Sequence, residues 1–125
     1  MMSSKLKILY IEGHTTIRDV YCQLLEQTTN FELDTASNGI EGQAKAKTWQ
    51  PDLILIGLRM PAMDGFETIL AIRNHPATAN IPIIVLSAWA SANHKEHALA
   101  AGANEHITLP VDTERLIRRI NHYLT

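Results

Sequence analysis

Two hydrophobic periods take turns along this chain. Residues 6–11 are a short apolar run with the character of a strand. Beyond it Ile17, Val20, Tyr21, Leu24 and Leu25 recur at helical spacing and form one apolar stripe. Thr16, with Asp19 three residues on, is a weak capping pair for that first helix. Residues 31–36 alternate apolar and polar, as an edge or half-buried strand does. Asn38 with Glu41 opens a second helix, which ends near Trp49 because Pro51 disfavours helix at the residue before it. Residues 53–56 are continuously apolar, the mark of a strand covered on both faces.

The pattern then repeats. Asp64 with Glu67 caps a third helix whose stripe is Phe66, Ile69, Leu70 and Ile72. Residues 81–86 read as a second doubly covered strand, and residues 91–101 as a fourth helix rich in alanine and poor in large apolar side chains. Gly102 is placed to stop it. Residues 105–109 are the fifth strand, and Leu116, Ile117, Ile120, Tyr123 and Leu124 give the stripe of a fifth helix.

Strict strand–helix alternation without a linker predicts an all-parallel sheet with right-handed crossovers. Five such units predict one α/β domain over residues 1–125, with its core in 5–124. Its fold class is a doubly wound, flavodoxin-like (βα)5 sheet of order 2-1-3-4-5. Sites in such sheets lie beyond the carboxyl ends of the strands, which gathers Glu12, Gly13, Gly57, Arg59, Ser87 and Leu109 around one crevice.

Composition narrows the possibilities. With 46% hydrophobic and 19% charged residues the chain is ordinary globular protein. The net charge is −2 and no basic run exceeds Arg118-Arg119, which argues against a nucleic-acid partner. A single cysteine, Cys22, excludes an internal disulfide and fits a reducing compartment; on a helix without a cysteine partner it reads as an inert thiol. The N-terminus lacks the apolar core of a signal peptide, and no run of about 18 apolar residues is present, so the expectation is a cytoplasmic protein with no membrane contact.

The segment Leu53-Ile54-Leu55-Ile56-Gly57-Leu58-Arg59-Met60-Pro61-Ala62-Met63-Asp64-Gly65 runs from a buried strand through a Met-Pro-x-Met-Asp-Gly turn into a helix. Together with the strand ends at Glu12-Gly13, Ser87-Ala88 and Leu109-Pro110, it resembles a two-component response regulator receiver domain of the CheY-like kind. The resemblance covers nearly the whole chain, Lys5 to Leu124, without a gap.

It also implies a phosphorylation pocket, and this pocket is degenerate. The family's adjacent acid pair, which holds Mg²⁺, stands here as Glu12-Gly13. The phosphoacceptor aspartate is Gly57, and the lysine that touches the phosphoryl group is Leu109; only the hydroxyl position, Ser87, is kept. Aspartyl phosphorylation needs a carboxylate nucleophile and cationic neutralisation of the transferring oxygens. Mg²⁺ needs near-octahedral oxygen, usually with one or two carboxylates. Three acids have become one, so no metal, no cofactor and no enzymatic activity are expected. The resemblance then implies a pseudo-receiver, a phosphorylation-independent protein-interaction module in bacterial signal transduction. A small-ligand or anion sensor, or a phosphoacceptor using an unconventional residue, are the alternatives.

Several side chains carry paired readings. Arg59 either pairs with Glu12 where a metal would sit or faces solvent. Trp89 is expected to pack on the fourth helix in preference to stacking on a ligand. His106 stands where the family often has an aromatic switch residue; with no phosphoryl trigger, a hydrogen-bonding rim histidine is favoured. His94 and His97 are three apart, as a metal pair can be, but no third ligand accompanies them and solvated residues are favoured. The sparse fourth helix is either loosely packed or a docking face. By resemblance the interaction face is helix 4, strand 5 and helix 5, for a protein partner or for self-association. No Gly-rich phosphate loop, HExxH motif or nucleophile elbow is present.

Overall fold

A computed structural model describes residues 5–60 and 63–124. Pro61 and Ala62 of the turn motif lie outside the described residues. Five units follow one another: β1 Lys7–Ile11, α1 Thr15–Thr28, β2 Glu32–Ala36, α2 Gly39–Trp49, β3 Leu53–Ile56, α3 Gly65–Asn74, β4 Ile83–Ser87, α4 Ala92–Ala101, β5 Glu105–Thr108 and α5 Thr113–Leu124. The sheet is parallel throughout, in the order β2-β1-β3-β4-β5. This is the doubly wound, flavodoxin-like architecture that the alternation predicts.

Every residue of β3 and of β4 is buried, because helices cover both faces of the central strands. One core layer joins Leu9, Ile54, Ile56 and Val85 to Phe66, Ile69 and Ile72 of α3 and to Ala98 of α4. The other joins Ile8, Tyr10, Leu55 and Leu86 to Tyr21 and Leu25 of α1 and to Leu116 and Ile120 of α5. The β1–β3 register pairs Ile11 with Ile56, and the β4–β5 register pairs Ser87 with Thr108. Ile11, Ile56, Val85 and His106 stand in one row, so β4 and β5 run two residues past the ends of β1 and β3, and Glu12, Gly57, Ala88 and Leu109 follow the four strand ends on the same side of the sheet.

The helix starts follow their caps. The Asn38 side chain accepts from the N–H of Glu41 at 2.8 Å and the Asp64 side chain from that of Glu67 at 2.9 Å. The start of α1 differs from expectation. Its N-cap is His14, whose Nδ1 faces the Ile17 N–H at 3.4 Å, so the Thr16–Asp19 pair lies inside the helix. Two stripe positions are also corrected. Val20 is 45% exposed and Leu70 46%, because each helix packs on the sheet along a line narrower than its apolar stripe. At the end of α4, Gly102 takes φ of 123°, and a Cβ there would meet Arg73 Cγ at 2.6 Å. The end of α2 is also left-handed, at Gln50 with φ of 53°.

Arg73 staples the amino-terminal edge of β4. Its Nε donates to Gly102 O (2.9 Å), Nη1 to Ala79 O (3.0 Å) and Ile81 O (2.7 Å), and Nη2 to Asn104 Oδ1 (3.0 Å). One guanidinium thus ties α3 to the loops that lead into β4 and β5.

Candidate functional site

The carboxyl ends of β1, β3, β4 and β5 frame an open crevice of about 610 Å³. Of the residues that the sequence reading brings together, Glu12, Gly13, Arg59, Ser87, Trp89 and Leu109 line it. Gly57 lies beneath the Glu12 side chain, and His106 lies behind Trp89. The lining also includes His14, Ile17, Leu58, Met60, Asp64 and Leu86, which the sequence does not by itself assign to the crevice.

The floor is built by the first and third strands. The Glu12 N–H donates to Ala36 O and the Gly57 N–H to Ile11 O, each at 2.9 Å, so both residues are fixed as extensions of the sheet. The Glu12 side chain turns over Gly57. A Cβ on Gly57 would run into Glu12 Oε1 and would stand 2.9 Å from its Cδ. The space of a side chain at 57 is therefore held by the carboxylate of residue 12. Gly65 is required for a different reason: a Cβ there would collide with Gly57 O and stand 2.7 Å from Leu58 Cα, where the start of α3 crosses the loop.

Glu12 is 5% exposed. Its Oε2 accepts the His14 N–H at 2.9 Å. Burial pushes its carboxyl above the usual range, against the lowering effects of the His14 N–H and of the nearby His14 and Arg18 side chains. Arg18 Nη1 donates to the backbone O of Glu12 at 2.9 Å and not to its carboxylate. The expected Glu12–Arg59 pair does not form. Arg59 is exposed and its guanidinium lies over the Trp89 ring, Cζ 5.2 Å from the centroid. An exposed guanidinium keeps its hydration on an aromatic face, and would lose it on the floor of the crevice.

The opposite wall is latched. Ser87 Oγ, buried at the end of β4, accepts the Trp89 N–H at 3.0 Å. Trp89 O lies 2.8 Å from His106 Nε2; a carbonyl only accepts, so Nε2 carries the proton. His106 Nδ1 is then a bare acceptor, buried without a partner. Burial holds the imidazole below its ordinary value, with Lys95 and His94 adding to the effect against the Trp89 hydrogen bond. His106 is thus a hydrogen-bonding rim residue. Trp89 packs on α4, its ring stacked on His94 at 4.8 Å. His94 and His97 are not simply solvated residues: His97 stacks on Phe66 at 4.0 Å, and His94 Nδ1 is buried.

The donor set does not fit a hard cation. Among the described residues no group of three histidine, cysteine or acidic side chains could share an ion. Asp64 spends an oxygen capping α3, and Glu12 spends one on His14. Near-octahedral Mg²⁺ would find one buried carboxylate here, already turned toward Gly57.

Behind the latch, Glu105 of β5 receives Arg119 Nη2 at 2.7 Å, Arg119 Nε at 2.9 Å and the Tyr123 hydroxyl at 2.7 Å. Burial pushes the Glu105 carboxyl up, but these bonds and the Arg119 charge outweigh it and hold the group below its usual value. Cys22 is buried on the inner side of α1, and burial pushes its thiol up to about 11, which disfavours the reactive thiolate.

Comparison with known proteins agrees with this geometry. The sequence profile of the response regulator receiver domain matches residues 8–121. A DNA-binding dual master transcriptional regulator, RpaA of Synechocystis sp., is 34% identical over 118 residues; the match covers 94% of this chain and 48% of that protein. An uncharacterized 14.6 kDa protein of Leptolyngbya boryana is 32% identical, with 96% of this chain and 91% of that one covered. The receiver domain of the sensor histidine kinase PA1611 from Pseudomonas aeruginosa, solved with a magnesium ion in its active-site cleft, superposes with a TM-score of 0.89 at 26% identity, covering 97% of this chain and 98% of that one. This chain spans about half the length of the Synechocystis regulator, so what that whole protein does is not carried over. By its profile match, its sheet order and the residues at its strand ends, the chain belongs to the response regulator receiver domain family.

Proposed function

We propose that this receiver domain of a bacterial two-component system works without aspartyl phosphorylation, as a protein-interaction module in the cytoplasm. The observation that carries the reading is the Glu12–Gly57 contact. Position 57 has no nucleophile, and the volume in which one would stand is held by a buried carboxylate. A phosphoryl group brought there would meet a negative charge with no lysine at Leu109 to offset it. The magnesium ion in the PA1611 cleft has no counterpart donor set among the described residues here.

Receiver domains of two-component systems act through other proteins, and the face formed by α4, β5 and α5 is the one we assign to that role. It supports the assignment that Leu99 of α4 is 49% exposed, while the Glu105–Arg119–Tyr123 cluster fixes β5 against α5. The latch of Ser87, Trp89 and His106 holds the same face in one arrangement, so binding is governed by partner supply and not by a phosphoryl trigger. No helix among the described residues is long and apolar enough to cross a membrane.

The test is incubation with acetyl phosphate and Mg²⁺, followed by intact mass and by amide NMR with beryllofluoride. The expected result is an unchanged mass and unchanged shifts on the α4–β5–α5 face. A stoichiometric, hydroxylamine-labile adduct of one phosphoryl group would overturn the reading.

A further inference from the structure

The geometry points to the crevice as a binding site for a small primary amine, its ammonium on Glu12 and its aliphatic body against the apolar walls. Three observations carry this. Glu12 is 95% buried by its 5% exposure and makes no ion pair, since the pairs among the described residues are Lys45–Asp34, Lys45–Glu41 and Arg119–Glu105. Two guanidinium groups at the site are engaged elsewhere, Arg18 on the backbone O of Glu12 and Arg59 on the face of Trp89. The apolar lining is Ile17 and Leu109, backed by the fully buried Leu58 and Leu86; the charged and titratable side chains of the lining besides Glu12 are His14, Asp64 and Arg59, the last turned onto Trp89.

A buried carboxylate without a cationic partner is costly, and a group that brings one removes that cost. The raised carboxyl of Glu12 expresses the same imbalance. An ammonium suits the position better than a guanidinium, because it is compact and needs no planar two-oxygen partner; Oε2 is already taken by His14. An anion is disfavoured for the converse reason. To reach the floor it would have to approach Glu12, and Asp64 lines the same crevice. Site geometry alone carries the inference, so it stands or falls independently of whether the domain can be phosphorylated.

The test is an amide NMR titration of the whole chain at neutral pH and constant salt with n-hexylamine, hexan-1-ol and hexanoate. The amine is expected to give saturable shifts at Gly13, Gly57, Ser87 and Leu109, with the alcohol and the carboxylate at least about tenfold weaker. Glu12→Gln should weaken the amine about tenfold or more and leave the alcohol unchanged. Leu109→Lys, which sets an ammonium of the chain's own into the crevice, should likewise weaken the amine about tenfold or more and serves if Glu12→Gln folds poorly; since Leu109 is itself part of the apolar wall, the alcohol control belongs to Glu12→Gln alone. No saturable amine shifts, equal affinity for the alcohol, or undiminished amine binding in either folded variant would overturn the proposal.

Discussion

Replacing Gly57 by alanine isolates the contact on which the site turns. The backbone at 57 is not left-handed, since the one glycine with positive φ among the described residues is Gly102. An alanine there is free of backbone strain, and Gly→Ala at such a position stabilises by about 0.4–1 kcal/mol through the unfolded chain. Against this, the new Cβ would occupy the place of Glu12 Oε1 and press on Cδ at 2.9 Å. Side-chain rotation relieves the clash only if the carboxylate swings into the crevice and gives up the His14 N–H at 2.9 Å. A hydrogen bond to a charged group contributes about 1.5–3 kcal/mol, and the hydration recovered by the swing offsets part of that. The displacement should therefore cost about 1–2 kcal/mol, which is also the coupling between the two positions. Gly57→Ala alone should be destabilising by up to about 1.5 kcal/mol. In a Glu12→Ala background it should stabilise by about 0.4–1 kcal/mol. Urea unfolding of the four proteins of the cycle, with constant m-values, gives the number, and the amide shift of His14 reports loss of its acceptor. Additivity within about 0.5 kcal/mol would refute the argument, because it would mean that Glu12 does not stand where the Cβ must go.

Further outcomes follow from the same structure. Arg73→Lys keeps the charge but cannot span Gly102 O, Ala79 O, Ile81 O and Asn104 Oδ1, so it should lower stability by about 1.5–3 kcal/mol in urea unfolding. A loss under about 0.5 kcal/mol would show that the staple is dispensable. Two groups tilt the pH dependence in opposite directions. The Glu12 carboxyl is raised in the folded state, so the stability it contributes is fully present below its ordinary value near 4.5 and is lost as pH rises through the folded value. Glu12→Gln should therefore gain on the natural protein as pH climbs from about 4.5 toward neutrality, and a flat difference in unfolding free energy would contradict the burial argument. His106 is held below its ordinary value near 6.5, so the unfolded chain takes up that proton first and stability is lost as pH falls through that value. His106→Phe should flatten that acid limb in thermal melts taken across the same range.

The fold was legible where a local signal and the long-range pattern agree. In β3 and β4 an unbroken apolar run coincides with burial on both faces, and in α2 and α3 the capping side chains Asn38 and Asp64 mark the helix starts. Legibility stops where one backbone position can be served by more than one chemistry. His14 caps α1 through a ring nitrogen, which a search for hydroxyl and carboxylate caps passes over. Val20 and Leu70 obey the helical period but lie at the margin of the packed stripe, and period alone does not give stripe width. Arg73 carries no motif at all. Its four acceptors are a main-chain carbonyl beyond α4, two before β4 and one asparagine side chain, so only the assembled fold brings them together.

The site was legible in its membership and not in its pairing. Strand ends alone place Glu12, Arg59, Ser87, Trp89 and Leu109 on one crevice, because a parallel sheet ends all its chains on one side. Pairing Glu12 with Arg59 followed from charge, but desolvation and the nearby aromatic face decide otherwise. Arg59 gains a ring at 5.2 Å while staying wet, and Glu12 finds room over Gly57. That last contact changes how the departures from the family pattern are understood. Glutamate at 12 has the length to reach over position 57, glycine at 57 leaves a side chain's room, and the two meet in the same volume. They form a single packed arrangement and not two separate losses. Restoring an aspartate at 57 alone would place it against a buried carboxylate, where two like charges cannot both ionise. Shortening Glu12 in the same protein is the change that makes room for it.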